Sequence, residues 1–396
     1  MKLTFAIPTW KRPDKLEICV RSIAEQVRDG RTEILISEDV DDAETTAIIE
    51  KLKSEYGFIR HERNDPRSGD YSVAFKSLFQ RAEGDWTWMF GDDDRLEKGA
   101  LAFMLEHLEK NDGLQFLHVA EVGRESGNSG FYKGDLWTLC NSFGLTEMTG
   151  FITGNIVRTT RLLHATQTPR WNRYAKSAFV QSCILLEELK DAPCGLLDIP
   201  LVATQDQGQT DDTMKRWAAD NISGRYLYLA DAIELMYDDG ILTEKVSNQF
   251  WRYLNIHMWS RYIAYSVGDY LGQGQLYADD MWGRLVKMAS YLKDEDEAKR
   301  VISAIEAARG LCTLHSYMSS NLDGIKNELE SIIDRSVVSV FPYSFVKPME
   351  AQNWTDEELE FAATHGPCYG CERCIDVWRI PKDQIDAYVR RKMEAQ

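Results

Sequence analysis

Three consecutive aspartates, Asp92, Asp93 and Asp94, follow an apolar and aromatic segment that reads WTWMFG. Adjacent carboxylates repel one another, so the cluster is costly unless a cation or a hydrogen-bond network offsets the charge. Mg²⁺ and Mn²⁺ prefer carboxylate oxygens and commonly carry substrate phosphates as well. The alternative is a solvated turn in which Asp93 or Asp94 caps the following helix. The motif therefore predicts either a metal site or a helix cap.

The segments around the aspartates alternate between two periodicities. The candidate strands are KLTFAIPT, TEILISED, FIRHERN and DWTWMFG. The segments between them have apolar residues at helical spacing. This alternation predicts an α/β fold with a mostly parallel sheet covered on both faces. Ligands of such sheets bind beyond the carboxyl ends of the strands. The aspartates lie at such an end.

Length and composition set the domain organisation. The chain has 396 residues, and its later part shows long helical periodicities closed by glycines. We expect an α/β domain over residues 1–210, an α-helical domain over 211–335 and a C-terminal tail over 336–396. The formal net charge of −17 disfavours a broad attraction to nucleic acid or anionic lipid. Without an apolar segment of membrane-spanning length or a signal-peptide pattern, a soluble cytoplasmic protein is expected.

The aspartate motif and its neighbours resemble glycosyltransferase family 2, an inverting family with the GT-A fold. The resemblance rests on LTFAIPTWKRPDKLEICVRSI, ILISEDVDDAETT and GDWTWMFGDDD in that order, and on GFITGNIVR, which is similar to a segment of abequosyltransferase-like members. It covers roughly the first 210 residues. It implies a GT-A type nucleotide-sugar-binding domain and a hexosyl- or pentosyltransferase. It also implies Mn²⁺ or Mg²⁺ as the cofactor and a nucleoside-diphosphate sugar as the donor, with a UDP-sugar as the leading candidate.

The resemblance also implies roles for individual residues. The donor-binding set consists of Pro8, Thr9, Arg12, Glu38, Asp39, Asp70, Asp92 and Asp93. Pro8 and Thr9 would shape the loop against the nucleobase, and Arg12 would approach the base or the diphosphate. Glu38 stands where the family usually has Asp, which leaves the nucleotide open. Asp94, together with Asp92, would ligate the metal that bridges the two phosphates.

Inverting transfer needs a base that takes the proton of the acceptor hydroxyl. The family's carboxylate position aligns near Gln181 or Ser182, and neither side chain is a competent base. Glu187 and Asp206 are the carboxylate candidates, beside a residue not yet identified. Taken alone, Glu187 and the neighbouring Glu188 fit a solvated helix face better than a catalytic role. A non-catalytic protein that binds a nucleotide sugar or nucleic acid therefore also stays open.

A basic segment, residues 148–186, contains neither Asp nor Glu in this acidic chain. Its candidate contacts to an acceptor or a phosphate are Arg158, Arg161, Arg170, Trp171, Arg173 and Lys176. Arginines interleaved with aromatic residues suit the donor diphosphate, a phosphate-bearing acceptor or single-stranded nucleic acid. The acceptor is expected to be a glycan or glycoconjugate, with a hydroxymethylated DNA base as the alternative. A segment that only neutralises acidic neighbours would show the same composition.

The tail holds a metal-ligand pattern, HGPCYGCERC, in which His365, Cys368, Cys371 and Cys374 are spaced three apart. Thiolates and imidazole suit a structural Zn²⁺. Four ligands so close together must wrap tightly, so free cytosolic thiols are an open alternative. An iron–sulfur cluster has no other support in the sequence.

Overall fold

The computed structural model describes residues 1–38, 42–63, 71–121, 130–177, 179–205, 222–253, 256–257, 259, 262–263, 266, 275–318, 387 and 390–391. The chain forms two compact units. The first unit comprises Met1–Ala175 and Phe179–Gly208, and the second comprises Lys176–Ala178 and Gln209–Gln396.

The first unit contains one large sheet. Its strands are β1 (Leu3–Thr9), β2 (Thr32–Glu38), β3 (Ile59–Arg63), β4 (Trp86–Met89), β5 (Asp94–Leu96), β6 (Phe116–Glu121), β7 (Phe131–Asp135), β8 (Asn155–Arg158) and β9 (Pro193–Thr204). The order in the sheet is β3-β2-β1-β4-β8-β6-β9-β5, and β7 pairs with β9. The strands β3, β2, β1 and β4 are parallel neighbours, whereas β8 runs antiparallel to β4 and β6. The α/β prediction is confirmed, with parallel pairing in the first half of the sheet and mixed pairing beyond it.

Helices pack on this sheet. They are α1 (Pro13–Ala24), α2 (Ala43–Glu55), α3 (Tyr71–Arg81), α4 (Ala100–Lys110), α5 (Leu136–Phe143), α6 (Leu145–Thr149), α7 (Thr159–Ala165), α8 (Trp171–Tyr174) and α9 (Val180–Leu189), with a 3₁₀ turn at Ile152–Gly154. Pro13 opens α1, where a missing N–H costs nothing. Asp42 caps α2 by accepting a hydrogen bond from the Thr45 N–H. These local signals fix where the helices begin beside the strand ends.

The core lies between the sheet and these helices. Phe5 stacks on Trp88 with ring centroids 5.0 Å apart, and Phe90 meets both rings edge to face. These aromatic residues of β1 and of the segment around β4 are fully buried. The two strands that deliver the candidate site are therefore anchored by one aromatic cluster, and burial of such rings dominates core energetics.

Helices dominate the described part of the second unit. They are α10 (Ile222–Asp238), α11 (Gln275–Ala289) and α12 (Glu295–Met318), accompanied by a 3₁₀ turn at Asn248–Trp251 and the short antiparallel pair β10 (Arg252–Tyr253) and β11 (Ile256–His257). Tyr237 stacks on Tyr291 with centroids 3.7 Å apart, and Arg284 pairs with Asp231 and Glu234. None of the helices that the structure describes is long and apolar enough to traverse a membrane.

Candidate active site

The candidate site lies where three neighbouring parallel strands end. Thr9 ends β1 and is paired in register with Glu38, which ends β2. On the other side of β1, the Phe90 N–H donates to the Ala6 carbonyl at 3.0 Å, so the chain after β4 leaves the sheet beside Thr9. The aspartate turn, residues 91–94, follows directly. The prediction that the aspartates lie at the carboxyl edge of the sheet is confirmed.

The cap alternative is wrong. The next helix, α4, begins at Ala100 with Gly99 at its cap position, and Asp94 begins β5 instead. Asp94 pairs with Thr204 across the β5–β9 ladder. Asp94 is therefore placed by strand pairing rather than by a helix terminus, and Asp92 and Asp93 lie in the turn between β4 and β5.

Asp92 is buried, with only 6% of its surface exposed, and Asp94 is buried as well, with 4% exposed. The Thr9 hydroxyl donates to its Oδ2 at 2.8 Å, and Arg12 Nη1 donates to its Oδ1 at 3.2 Å. Burial first, and then the negative charge of Asp93, raise the pKa of Asp92 to about 6, against the opposing effects of Arg12 and Thr9. One guanidinium therefore compensates the charge of this turn only in part.

Arg12 bridges two of the carboxylates. Its Nη1 also donates to Asp93 Oδ2 at 2.9 Å, and the Asp93 side chain is 44% exposed. Burial opposes the charge of Arg12, but Asp92 and Asp93 outweigh that effect and raise the pKa of Arg12 above its ordinary value. Arg12 is thus a fixed cation at the centre of the site.

The turn that presents Arg12 contains a strained residue. Lys11 has φ +50°, which is the left-handed region that a residue with a Cβ rarely occupies. Pro13 follows Arg12 immediately and fixes the first turn of α1. The backbone on both sides of Arg12 is therefore held in one conformation, and strain of this kind is characteristic of functional sites.

Asp94 is held by a residue that the sequence did not single out. The Thr153 hydroxyl donates to Asp94 Oδ2 and accepts from the Gly91 N–H at 2.9 Å. The Thr153 carbonyl accepts from Trp88 Nε1 at 2.8 Å, which fixes Thr153 against β4. A Cβ at Gly91 would lie 2.8 Å from Asp94 Oδ2, so this close approach requires glycine. Thr153 belongs to GFITGNIVR. The position of that motif after GDWTWMFGDDD was the signal in the sequence that could have pointed to Thr153.

Gln205 also supports the turn and was not predicted. Its backbone N–H donates to the Asp93 carbonyl at 3.0 Å, and its Nε2 donates to the Asp94 carbonyl at 3.0 Å. The same Nε2 reaches the Lys15 carbonyl at 2.8 Å. Gln205 therefore ties the end of β9 to both the aspartate turn and α1.

Glu38 sits in a cluster of its own. It is 2% exposed and accepts hydrogen bonds from Thr46 Oγ1 at 3.0 Å and from His61 Nε2 at 3.1 Å. Arg63 Nε lies 3.4 Å from the same Glu38 Oε2. A carboxylate held by three partners is a fixed part of the sheet edge. His61 and Arg63, which the sequence did not select, accompany it there.

Some of the aspartates have the chemistry that a divalent cation requires. Within the described ranges no group of three His, Cys, Asp or Glu side chains is arranged to hold a metal ion. Mg²⁺ is usually held by one or two carboxylates together with substrate phosphates. Asp92 and Asp94 fit that mode, because Asp92 offers about four lone-pair sites and accepts two hydrogen bonds from Thr9 and Arg12. The residues present therefore fit a cation that is bound jointly with substrate.

The base candidates have unequal surroundings. Glu187 Oε1 accepts from Thr168 Oγ1 at 2.8 Å and from Arg170 Nη1 at 3.2 Å, and its Oε2 accepts from the Tyr174 hydroxyl. These contacts favour a structural role for Glu187. Gln181 is buried and donates through Nε2 to the Gly150 carbonyl at 3.1 Å.

Several predicted residues lie outside the described part of the chain. They are Asp39, Asp70, Asp206, His365, Cys368, Cys371 and Cys374. Their assigned roles stay predictions.

The basic segment is largely engaged with acidic partners. Arg158 pairs with Asp112, Arg161 with Glu188 at 3.2 Å, and Arg170 with Glu187 at 3.2 Å. Trp171 is 4% exposed, so its ring is not a platform for a base or a sugar. Lys176 Nζ lies 5.8 Å from the centroid of the Tyr228 ring. These contacts correspond to the alternative in which the segment neutralises acidic neighbours.

Part of the chain matches a known protein family. The family model "Glycosyl transferase family 2" matches residues 4–171. Abequosyltransferase RfbV of Salmonella typhimurium is 31% identical over 125 residues, which are 31% of this chain and 37% of that protein. The chain thus matches little more than a third of the length of this curated relative.

Two solved structures share a more distant likeness. S. aureus TarS 1–349 in complex with UDP-GlcNAc is 13% identical at a TM-score of 0.47, covering 81% of this chain and 92% of that one. Mannosyltransferase PcManGT from Pyrobaculum calidifontis in complex with GDP-Man and Mn²⁺ is 11% identical at a TM-score of 0.44, covering 81% and 88%. Scores this low carry no argument about the chain. The matched range contains Thr9, Arg12, the aspartate turn and Thr153, and residues 4–171 are similar to glycosyltransferase family 2, as the motifs predicted.

Proposed function

We propose that the protein is an inverting, metal-dependent glycosyltransferase that moves a hexosyl or pentosyl group from a nucleoside-diphosphate sugar to an acceptor hydroxyl. The observation that supports it most is the aspartate turn held against Thr9 and Arg12 inside a family 2 domain. A turn with three carboxylates and one guanidinium can hold the hydroxyls, the phosphates and the cation of such a donor.

The residues of the turn divide the donor between them. Asp92, fixed by Thr9, is placed to accept hydrogen bonds from ribose or sugar hydroxyls. Arg12 supplies a guanidinium, which suits phosphate oxygens because its planar fork matches their geometry. Asp94 and Asp92 would hold Mn²⁺ or Mg²⁺ together with the diphosphate. A cation bound there stabilises the charge that develops on the departing nucleoside diphosphate.

The base that takes the acceptor proton is proposed to be Asp206 rather than Glu187. Glu187 already accepts three hydrogen bonds from its own neighbours. Asp206 directly follows Gln205, which is bonded to the backbone of Asp93 and Asp94. A base has to lie within reach of the acceptor hydroxyl at the donor site, and chain adjacency to the aspartate turn supports Asp206.

The acceptor is proposed to be a glycan or glycoconjugate. A DNA acceptor would require a phosphate-binding surface, and three of the arginines that suggested one are paired with Asp112, Glu188 and Glu187. The net charge of −17 acts in the same direction.

A panel of sugar nucleotides tests the activity. The purified chain is incubated with UDP-, GDP- and dTDP-sugars with Mn²⁺ or with EDTA, and release of the nucleoside diphosphate is measured. We expect release from one donor, at least tenfold slower in EDTA and in Asp94→Asn. Arg21→Gln is the matched control, because Arg21 lies on α1 and pairs with Glu17 on α1 and Glu55 on α2. Release from no donor, with no binding of any nucleotide, would contradict the proposal, and the anomeric configuration of the product tests inversion by NMR.

A further inference from the structure

The loop over residues 149–155 connects α6 to β8 and carries Thr153, whose hydroxyl donates to Asp94. The side chain of Asn155, the last residue of the loop, closes it, because Nδ2 donates to the Thr149 carbonyl at 2.8 Å. Asn155 is fully buried. Opening the loop would break a buried hydrogen bond, which costs more than losing an exposed one, so the amide of Asn155 fixes the loop in one conformation.

His118 of β6 holds Asn155 from the other side. The Thr149 carbonyl can only accept, so the NH₂ group of Asn155 faces it, and the amide oxygen Oδ1 faces His118 Nδ1 at 3.1 Å. His118 Nδ1 is therefore the donor of this bond. Gly154 lies directly against β6, since an added Cβ would be 2.8 Å from His118 Nδ1 and 2.9 Å from the Val119 carbonyl oxygen. The end of the loop is thus fixed against the neighbouring strand.

Two further donors hold the middle of the loop. Gln181 Nε2, on α9, donates to the Gly150 carbonyl at 3.1 Å. Trp88 Nε1, on β4, donates to the Thr153 carbonyl at 2.8 Å. These contacts place the Thr153 hydroxyl where it meets Asp94 Oδ2. The position of one carboxylate of the aspartate turn therefore depends on a loop that is held from three other elements.

We propose that Asn155 is a positioning residue for the cation, and that it acts through Thr153 to orient the carboxylate of Asp94. Groups that hydrogen-bond a metal-ligating carboxylate set its orientation and its affinity for the metal. Thr153 makes that bond, and Asn155 keeps Thr153 in place by closing the loop. The inference rests on the proposed function, in which Asp94 is a ligand of Mn²⁺ or Mg²⁺.

The chain contains a matched arrangement away from the candidate site. The Thr4 hydroxyl donates to Glu33 Oε1 at 2.6 Å and accepts from the Gly84 N–H at 2.8 Å. Thr153 likewise joins a carboxylate to a glycine N–H. Thr4 is fully buried but lies near the amino end of β1, whereas Thr9 ends that strand at the site. Thr4→Ala should therefore cost stability without changing the binding of a cation.

Calorimetry of inorganic pyrophosphate in Mn²⁺ and in EDTA measures the role of Asn155. The ratio of the two affinities is the gain that the cation provides. In Asn155→Ala we expect this gain to fall roughly tenfold, while the affinity in EDTA stays near that of wild type. Thr4→Ala should keep the wild-type gain although its free energy of unfolding in urea is lower. A purely structural role of Asn155 would give the result expected for Thr4→Ala.

A double substitution identifies the route. If Asn155 acts through Thr153, then Asn155→Ala should lower the gain in the wild-type background but not further in Thr153→Ala. Additive losses in the double variant would overturn the proposed route. If Asn155→Ala does not fold, Asn155→Leu takes its place, because leucine has the same branched shape without a donor or an acceptor.

The remaining outcomes separate this inference from the proposed function. A wild-type gain that is unchanged in the Asn155 variants, or affinities that fall equally in Mn²⁺ and in EDTA, overturns the role of Asn155 and leaves the metal-dependent transferase standing. A wild type in which Mn²⁺ gives no gain overturns the cation role of Asp94 and this inference together.

Discussion

Individual residues of the site differ in what surrounds them, although three of them are the same amino acid. Asp92 is held by a hydroxyl and a guanidinium, Asp93 is half exposed, and Asp94 is held by Thr153. The consequence is a division of labour among neighbours. In the proposed donor complex, Asp92 accepts hydrogen bonds from sugar hydroxyls, and Asp92 and Asp94, which are both buried, hold the cation.

Thr153 allows a test of how strongly that arrangement depends on one hydroxyl. Thr153→Ala leaves the Gly91 N–H without its acceptor and removes the hydrogen bond to Asp94. We expect a loss of about 1–3 kcal/mol of unfolding free energy, measured in urea, and weaker Mn²⁺-dependent binding of pyrophosphate. Thr153→Ser keeps the hydroxyl and should lie close to wild type. Equal stability of the alanine and serine variants would show that the bridge contributes little.

The sequence predicted the residues of the motif better than the residues that support them. Asp92 and Arg12 stand in patterns readable along the chain, and the structure brings them together. Thr153 and Gln205 come from segments about 60 and 110 residues after the turn, and their role arises only when β8 and β9 join the sheet. The pairing of Glu38 with His61 and Arg63 likewise follows from the neighbouring positions of β2 and β3, which alternation alone does not give.

Among the secondary-structure elements, β6 carries a group that makes stability depend on pH. His118 is fully buried and shares a hydrogen bond with Asn155 at 3.1 Å; burial lowers its pKa to about 4, although Asn155 acts in the opposite direction. As the pH falls, His118 therefore takes up a proton near pH 6.5 in the unfolded chain but only near pH 4 in the folded chain. Stability is present above pH 6.5 and is lost as the pH falls towards 4.

The expected loss from this histidine is about 2–3 kcal/mol of unfolding free energy between pH 7 and pH 4.5. His118→Gln cannot take up the proton, so its unfolding free energy should fall less over the same interval, although it will be lower at pH 7. Urea denaturation at several pH values gives both slopes. Parallel curves for the two proteins would refute the assignment.

The α8–α9 pair tests whether Glu187 acts as a base or as a structural anchor. In Glu187→Gln the partners Thr168, Arg170 and Tyr174 lose a charged acceptor. We expect a decrease of about 1–3 kcal/mol in unfolding free energy with kcat lowered less than tenfold. The companion variant Asp206→Asn should show the reverse, a large loss of kcat at nearly unchanged stability. A collapse of kcat in Glu187→Gln without loss of stability would restore Glu187 as the base.

Elements of the sheet differ in how far the sequence determined them. The alternation of apolar strands and amphipathic helices was enough for β1 to β4, because β1, β2 and β4 are almost wholly buried and the helices return the chain between parallel neighbours. The three-residue β5 and the half-buried β7 carry no such periodicity. They are strands only because β9 is long enough to pair with both.

At the scale of the whole molecule, the chain combines an α/β unit that matches a known family with a second unit, mainly helical where described, that the match does not cover. The C-terminal tail offers one test. If His365, Cys368, Cys371 and Cys374 bind Zn²⁺, freshly reduced protein will contain about one equivalent of zinc, and a strong chelator will lower its Tm. The substitution Cys371→Ser should abolish both the zinc content and the effect of the chelator on Tm. Metal analysis that finds no zinc would leave free thiols as the explanation.

The net charge of the whole molecule bears on the choice between the proposed glycan acceptor and a DNA acceptor. A polyanion is gripped through released counter-ions, so its binding weakens steeply as salt rises, whereas a neutral glycan is held by hydrogen bonds and aromatic contacts with little salt dependence. The net charge of −17 repels DNA, and Arg158, Arg161 and Arg170 are paired within the protein. We therefore expect no binding of hydroxymethylated DNA at 50 or 200 mM salt, an interval over which a phosphate-binding protein loses roughly a thousandfold or more in affinity. Neutral oligosaccharides should bind equally at both salt concentrations.

Unmodified DNA of the same sequence is the control for non-specific attraction, and the double variant Arg170→Ala, Arg173→Ala is the control for the basic segment. DNA binding that falls with salt and with the double change would replace the glycan by a modified DNA base as the acceptor.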